Sequence, residues 1–214
     1  MIIKIFMRLV SLVSWEWALN LLGKRTEVPY LVQDEIYGVL EDNNRVILVR
    51  RSAHLTTYLI GLGHFILTGK FGYWSHTAIN LPGSYMSSPR DIIILEATRD
   101  GTHPSGFDDL LSADSFAILE PVCCTKEEWD RSLEKAPDYV GRPYDGLFSV
   151  SNHDAMSCVE YVLVVVEGIE NHREKFKNLY NTINKYGNLT PDMIYECEDF
   201  KVTHEYRRKS WRKT

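Results

Sequence analysis

The sequence predicts an α+β domain in which an antiparallel sheet or small barrel packs on helices, with an extra N-terminal helix. Two observations carry this. Short β-branched runs with brief connections occupy the chain from Arg45 to Pro121, and helix caps with i, i+3, i+4, i+7 apolar spacing occupy it from Thr125 to Pro191. A third is composition: 44% hydrophobic and 25% charged residues over 214 positions is ordinary globular composition. A chain of this length buries about 70% of its unfolded surface, so it needs no disulfide or metal staple.

The elements follow in order. Met1 to Gly23 is apolar but interrupted by Lys4, Arg8 and Glu16, so it lacks the unbroken run that a spanning helix requires. Glu16 inside the would-be apolar region, with no small-x-small site after it, also argues against a secretory signal. Ile5, Leu9, Leu12, Glu16 and Leu19 fall at helical spacing. Trp15 and Trp17 with basic anchors suit a helix lying at a membrane interface; a helix packed on protein is the plainer alternative. Residues 1–35 therefore read as an apolar helical appendage, and 36–214 as the main domain with a short basic tail. Val28 to Leu40 reads as a transition punctuated by Pro29. Arg45–Arg50 is a buried strand, Thr56–Leu67 a helix or covering loop, and Trp74–Leu81 a strand ended by Pro82-Gly83. Asp91–Ala97 and Phe116–Glu120 are further strands, the last closed by Pro121.

Thr125 and Glu128 then form a capping box, with Trp129, Leu133 and Ala136 on one face. Asn152-His153-Asp154 is an N-cap cluster for a helix in which Val159, Val162, Leu163 and Val166 repeat at helical spacing until Gly168. Glu170 to Tyr186 reads as one polar helix stopped by Gly187, and Thr190-Pro191 starts a last turn.

Charge narrows the partners. The net charge is −5 and the pI about 5.8, which argues against a general nucleic-acid binder. The charge is uneven: residues 1–26 carry +3, residues 204–214 carry +4, and the middle carries −12. Both ends can meet an anionic membrane surface; a packed helix and a solvated tail are the plainer reading. The four cysteines, Cys123, Cys124, Cys158 and Cys197, suggest neither a disulfide framework nor a metal site. The chain is expected to need no cofactor and no metal; its location stays open, with cytoplasmic or peripheral to a membrane favoured over secreted.

One constellation carries chemistry. Cys158 falls at the start of a buried helix, where peptide dipoles favour a thiolate. His76 lies on a strand beside Ser75 and Ala78. Glu96 is the single carboxylate inside an otherwise apolar strand that opens at Asp91, and a charge there needs a partner. Together they supply nucleophile, base and orienting acid in the chain order His, Glu, Cys. Taken singly, each has a plainer reading: a structural histidine, a glutamate facing water, an inert buried thiol.

The stretch from about Arg45 onward resembles the circularly permuted, papain-like branch of the NlpC/P60 superfamily, small bacterial and poxviral cysteine hydrolases. Ser75-His76-Thr77-Ala78-Ile79 resembles the strand of the catalytic histidine, and Ile94-Leu95-Glu96-Ala97 the strand of the acid. Gly141-Arg142-Pro143-Tyr144-Asp145-Gly146-Leu147-Phe148 resembles a G-x-x-Y-D-x-x-F segment. Ser157-Cys158-Val159-Glu160-Tyr161-Val162 resembles the helix start that bears the nucleophile, and Leu189-Thr190-Pro191-Asp192-Met193 a closing element. The match departs at Asn44-Arg45, where Gly-Asp is usual, and at Val159, where Ser follows the nucleophile.

The resemblance implies a permuted papain-like fold and a thiol hydrolase. Cys158 would attack a carbonyl, His76 move the proton, Glu96 fix its tautomer, and the Cys158 N–H bind the oxyanion with Tyr144 as a candidate side-chain donor. His153 is given only a loop or capping role, and Glu160 no chemistry. Amidase or peptidase action on a peptide-like amide, such as a cell-wall stem peptide, is the first expectation. A lipid-directed acyl hydrolase or acyltransferase at a membrane surface is the second, and a non-catalytic binding module the third.

Overall fold

Val46–Arg50 (β1), His76–Leu81 (β2), Ile93–Thr98 (β3) and Ser115–Pro121 (β5) are the β-branched runs read from the sequence, and they form the middle of one sheet. The computed structural model describes residues 30–42, 45–50, 55–81, 92–111, 113–145, 150 and 153–207. The segment 1–23 and the basic residues 208–214 lie outside the described residues, as do Asn44, Gly146, Leu147, Phe148 and Asn152. The fold is α+β. With Gly101–Gly106 (β4) and Phe200–Arg207 (β6), the sheet among the described residues has six strands in the order β4-β3-β2-β1-β5-β6, antiparallel throughout. It is open, with β4 and β6 at its edges, and not closed as a barrel.

The helices are α1 (Tyr30–Asp42), α2 (Leu55–Thr68), the short α3 (Phe107–Leu111), α4 (Lys126–Leu133), α5 (Cys158–Glu167), α6 (His172–Lys175), α7 (Lys177–Tyr186) and α8 (Pro191–Tyr195). One face of the sheet presents Val46, Leu48, Ile79, Leu95 and Leu119 to α4, α5, α7 and α8. The other presents Ile47, Val49, Ile94, Phe116 and Ile118 to Ile36 and Leu40 of α1. The central strands are therefore buried on both faces, which is why they read as continuous apolar runs. Among the described residues no helix is long and apolar enough to cross a membrane.

Several sequence expectations are corrected. Val28–Leu40 is no transition: α1 occupies most of it, crosses the 35/36 boundary, and packs Ile36 and Leu40 on the sheet. The polar helix expected over 170–186 is two, α6 and α7, parted at Phe176, with Asn171 in the left-handed region at φ 56°. The basic tail expected from 204 is partly strand, since β6 runs to Arg207. The Arg207 guanidinium there lies 4.5 Å from the Tyr73 ring centroid.

Gly101 starts β4 at φ +99°, and a Cβ on it would come within 2.6 Å of the Arg142 carbonyl oxygen. That close approach lets Thr102 N–H donate to Arg142 O at 2.9 Å and Gly141 N–H to Thr102 O at 2.8 Å. The loop of Gly141–Asp145 is thereby fastened to the β4 edge and aimed at the start of α5.

Candidate active site

Cys158 is the first residue of α5, and Ser157 is its N-cap. The Asn152-His153-Asp154 cap is thus corrected. The working signal is the S-x-x-E spacing of Ser157 and Glu160, in which Glu160 Oε2 accepts from the Ser157 N–H at 2.6 Å. The residues before the helix are held by the Arg142 loop. Met156 N–H donates to Pro143 O at 2.9 Å, and Asp145 N–H to Met156 O at 3.0 Å. As N1 of the helix, Cys158 keeps its backbone N–H outside the helical ladder, available to an anion.

His76 opens β2, and Glu96 sits diagonal to it on β3, paired in register with Ala78. His76 Nε2 and Glu96 Oε2 are 2.7 Å apart, with side chains only 13% and 8% exposed. This engages Nε2, and Cys158 lies near enough to act on the ring. Burial is the largest single influence on His76 and lowers its pKa. Cys158 and Glu96 together outweigh it and push the group up to about 9. At neutral pH the imidazole is therefore cationic, the state that holds a neighbouring thiolate. Cys158 itself is only 1% exposed. All four cysteines are free, and burial pushes Cys123 and Cys197 up to about 12 and Cys124 to about 11.

Tyr144 is brought to the same place by the Pro143–Asp145 pairing with Met156. Burial first, then the charges of Cys158, Asp145 and Glu160, raise its hydroxyl well above the usual range, so it stays protonated as a donor. The residues named from the sequence, Cys158, His76, Glu96 and Tyr144, thus converge on one end of the sheet.

Two neighbours escaped the sequence reading. His153, given only a loop role, has Nε2 2.8 Å from Glu167 Oε2 and Nδ1 3.6 Å from Oε1 of the wholly buried Glu160. The facing Glu160 carboxylate, an ion pair too long for a hydrogen bond, and then the Glu167 bond outweigh burial and push it up to about 9. A cationic His153 thus compensates the carboxylate that caps the nucleophile helix. A histidine raised from 6.5 to about 9 contributes stability that is fully present below 6.5 and is lost as pH climbs through 9. Urea unfolding should therefore show about 2 kcal/mol of stability lost between pH 6.5 and 9.5 on account of His153, and His153→Gln should flatten that slope.

The second neighbour is His103 on β4, directly opposite Glu96, with Nε2 3.7 Å from Glu96 Oε1. The sequence points to the wrong partner. Asp100-Gly101 reads as a two-residue hairpin turn, which would set Ser105 opposite Glu96, whereas the loop is Arg99-Asp100 and the register pairs Thr98 with Gly101, Ala97 with Thr102 and Glu96 with His103.

The closing segment is a latch. Asp192, buried in α8, accepts from Tyr73 N–H at 2.8 Å and Trp74 N–H at 3.0 Å, just upstream of His76. Thr190 caps α8 and meets the buried His64 Nδ1 at 2.7 Å. Among the described residues no group of three or more His, Cys, Asp or Glu is placed to hold a metal ion.

Neither a protein-family model nor a curated protein sequence matches this chain. Among solved structures it is similar to the metalloprotein yiiX of Escherichia coli O157:H7, DUF1105. The TM-score is 0.54 at 13% identity, over 77% of this chain and 98% of that one. At that identity the likeness is one of fold.

Proposed function

We propose that this chain is a cysteine hydrolase of permuted papain-like type that cleaves a peptide-like amide through a thioacyl-enzyme. One observation carries the reading: the enclosed His76 imidazole pairs with Glu96 through Nε2, and the influence of Cys158 and Glu96 together pushes it up to about 9. The Cys158 thiolate adds to the carbonyl carbon, and the oxyanion forms against the Cys158 N–H with the Tyr144 hydroxyl as second donor. The His76 imidazolium gives its proton to the leaving amine, then takes one from the water that hydrolyses the thioester. Glu96 holds the ring's tautomer and orientation throughout.

Iodoacetamide at neutral pH tests the arrangement. Cys158 should be alkylated ahead of Cys123, Cys124 and Cys197, which burial keeps protonated. His76→Ala should remove that preference. Labelling that passes over Cys158, or that His76→Ala leaves unchanged, sinks the reading.

One observation favours the lipid-directed alternative. α2 carries no charged residue, and Tyr58, Phe65 and Ile66 on it, with Phe71 beyond, are about half exposed. A panel of amide reporters and acyl lipids, with Cys158→Ala as control, separates the two substrate classes.

A further inference from the structure

Glu96 carries two oxygens, and each faces a different imidazole: Oε2 meets His76 at 2.7 Å and Oε1 meets His103 at 3.7 Å. The tautomer of His103 is set locally. Its Nδ1 lies 3.1 Å from the Gly101 carbonyl oxygen, which only accepts, so Nδ1 carries the proton in the neutral ring. Nε2 then presents a lone pair to a carboxylate. Only when His103 gains a second proton does Nε2 become a donor to Glu96 Oε1. The contact is therefore unfavourable in one protonation state and an ion pair in the other.

Resting on the reading of His76, Glu96 and Cys158 as a triad, we propose that His103 is a second imidazole on the triad's acid that tunes it with pH. His103 is a positioning residue, acting through Glu96. When protonated, it draws on the carboxylate that supports the His76 imidazolium, and adds a cation nearby. Both effects weaken the hold of His76 on its second proton and so lower the reactivity of Cys158. When neutral, it leaves Glu96 to His76. Because the His103 side chain is 39% exposed at the sheet edge, it exchanges protons with solvent, whereas His76 is enclosed. The other charged groups about β4 are His76 through Glu96, Arg99 and Asp100 in the β3–β4 turn, Arg142 on the loop bonded to Thr102, and Asp108 and Asp109 in α3. Among the described residues, Glu96 alone makes an ion pair with His103.

The test is the second-order rate of Cys158 alkylation by iodoacetamide from pH 5 to 9 in the full chain, for wild type, His103→Gln and His103→Lys. A charge added beside a shared carboxylate moves a neighbour's pKa by roughly a unit, so the acid-side effect should be about fivefold to tenfold. Wild type should lose rate in two steps on acidification. His103→Gln should keep only one and be faster than wild type at the acid end. His103→Lys, a fixed cation, should be slow across the whole range. Superimposable profiles for wild type and His103→Gln overturn the proposal. The triad reading fails differently, by Cys158 labelling that ignores His76→Ala in wild type. Should His103→Gln lose its fold by circular dichroism, His103→Asn serves in its place with the same outcomes.

Discussion

Cys158→Ala should lower turnover of any amide reporter that the wild type cleaves by about four orders of magnitude, with KM little changed. In the proposed mechanism the thiol is the atom that bonds to substrate, while Tyr144 and the Cys158 N–H survive the substitution as donors. His76→Ala should cost nearly as much, and the double variant no more than either alone, because base and nucleophile act as one unit. Glu96→Gln should retain more activity, since an amide oxygen can still accept from Nε2 and hold the ring, though without the charge that helps raise His76 to about 9. Steady-state kinetics on the four proteins checks the order. Turnover that persists in Cys158→Ala would place the chemistry elsewhere.

Asp192→Ala should be the most damaging change outside the triad, destabilising the fold by about 2–5 kcal/mol in urea titration. The Asp192 carboxylate accepts from two successive backbone N–H groups, Tyr73 at 2.8 Å and Trp74 at 3.0 Å. Removing it strands both donors in a region where Trp74 is fully buried. The cavity does not fill easily, because Gly72 is already so close that a Cβ there would sit 2.7 Å from Asp192 Oδ2. Asp192→Asn keeps one accepting oxygen but turns an N–H₂ toward the other donor, so it should recover about half of the loss. The segment ends at His76, so Asp192→Ala should also slow Cys158 alkylation at temperatures where the variant is still folded. An unchanged unfolding midpoint would show that water replaces the carboxylate.

The sequence marks the centre of this molecule better than its margins. β1, β2, β3 and β5 are legible because strands buried on both faces become apolar runs. The edge strands are not. β4 reads GTHPSG, with two glycines and a proline, and pairs on one side only, where such residues are tolerated. β6 reads FKVTHEYR, half-exposed and charged enough to pass for a tail. α1 buries little beyond Ile36 and Leu40, too sparse for periodicity to show among Asp34, Glu35 and Glu41. In the site, Cys158, His76 and Glu96 are legible because their residue types announce chemistry. His103 and His153 are not, because their meaning lies in a strand register and in a loop folded back onto α5.

The helix that carries Cys158 is made of residues poorly suited to helices. CVEYVLVVVE contains five valines, whose stiff branched side chains favour extended chain, and Cys158 through Val166 are all buried. Little in the segment itself makes it helical, so its conformation is owed to the sheet and to α4 packed around it. Whenever that core opens, the same ten residues form an apolar stretch prone to pair edge to edge with copies of itself. The proposed nucleophile and a segment prone to aggregate are therefore one stretch of chain. Closing the core over it brings the thiol to His76 and, in the same step, hides that segment.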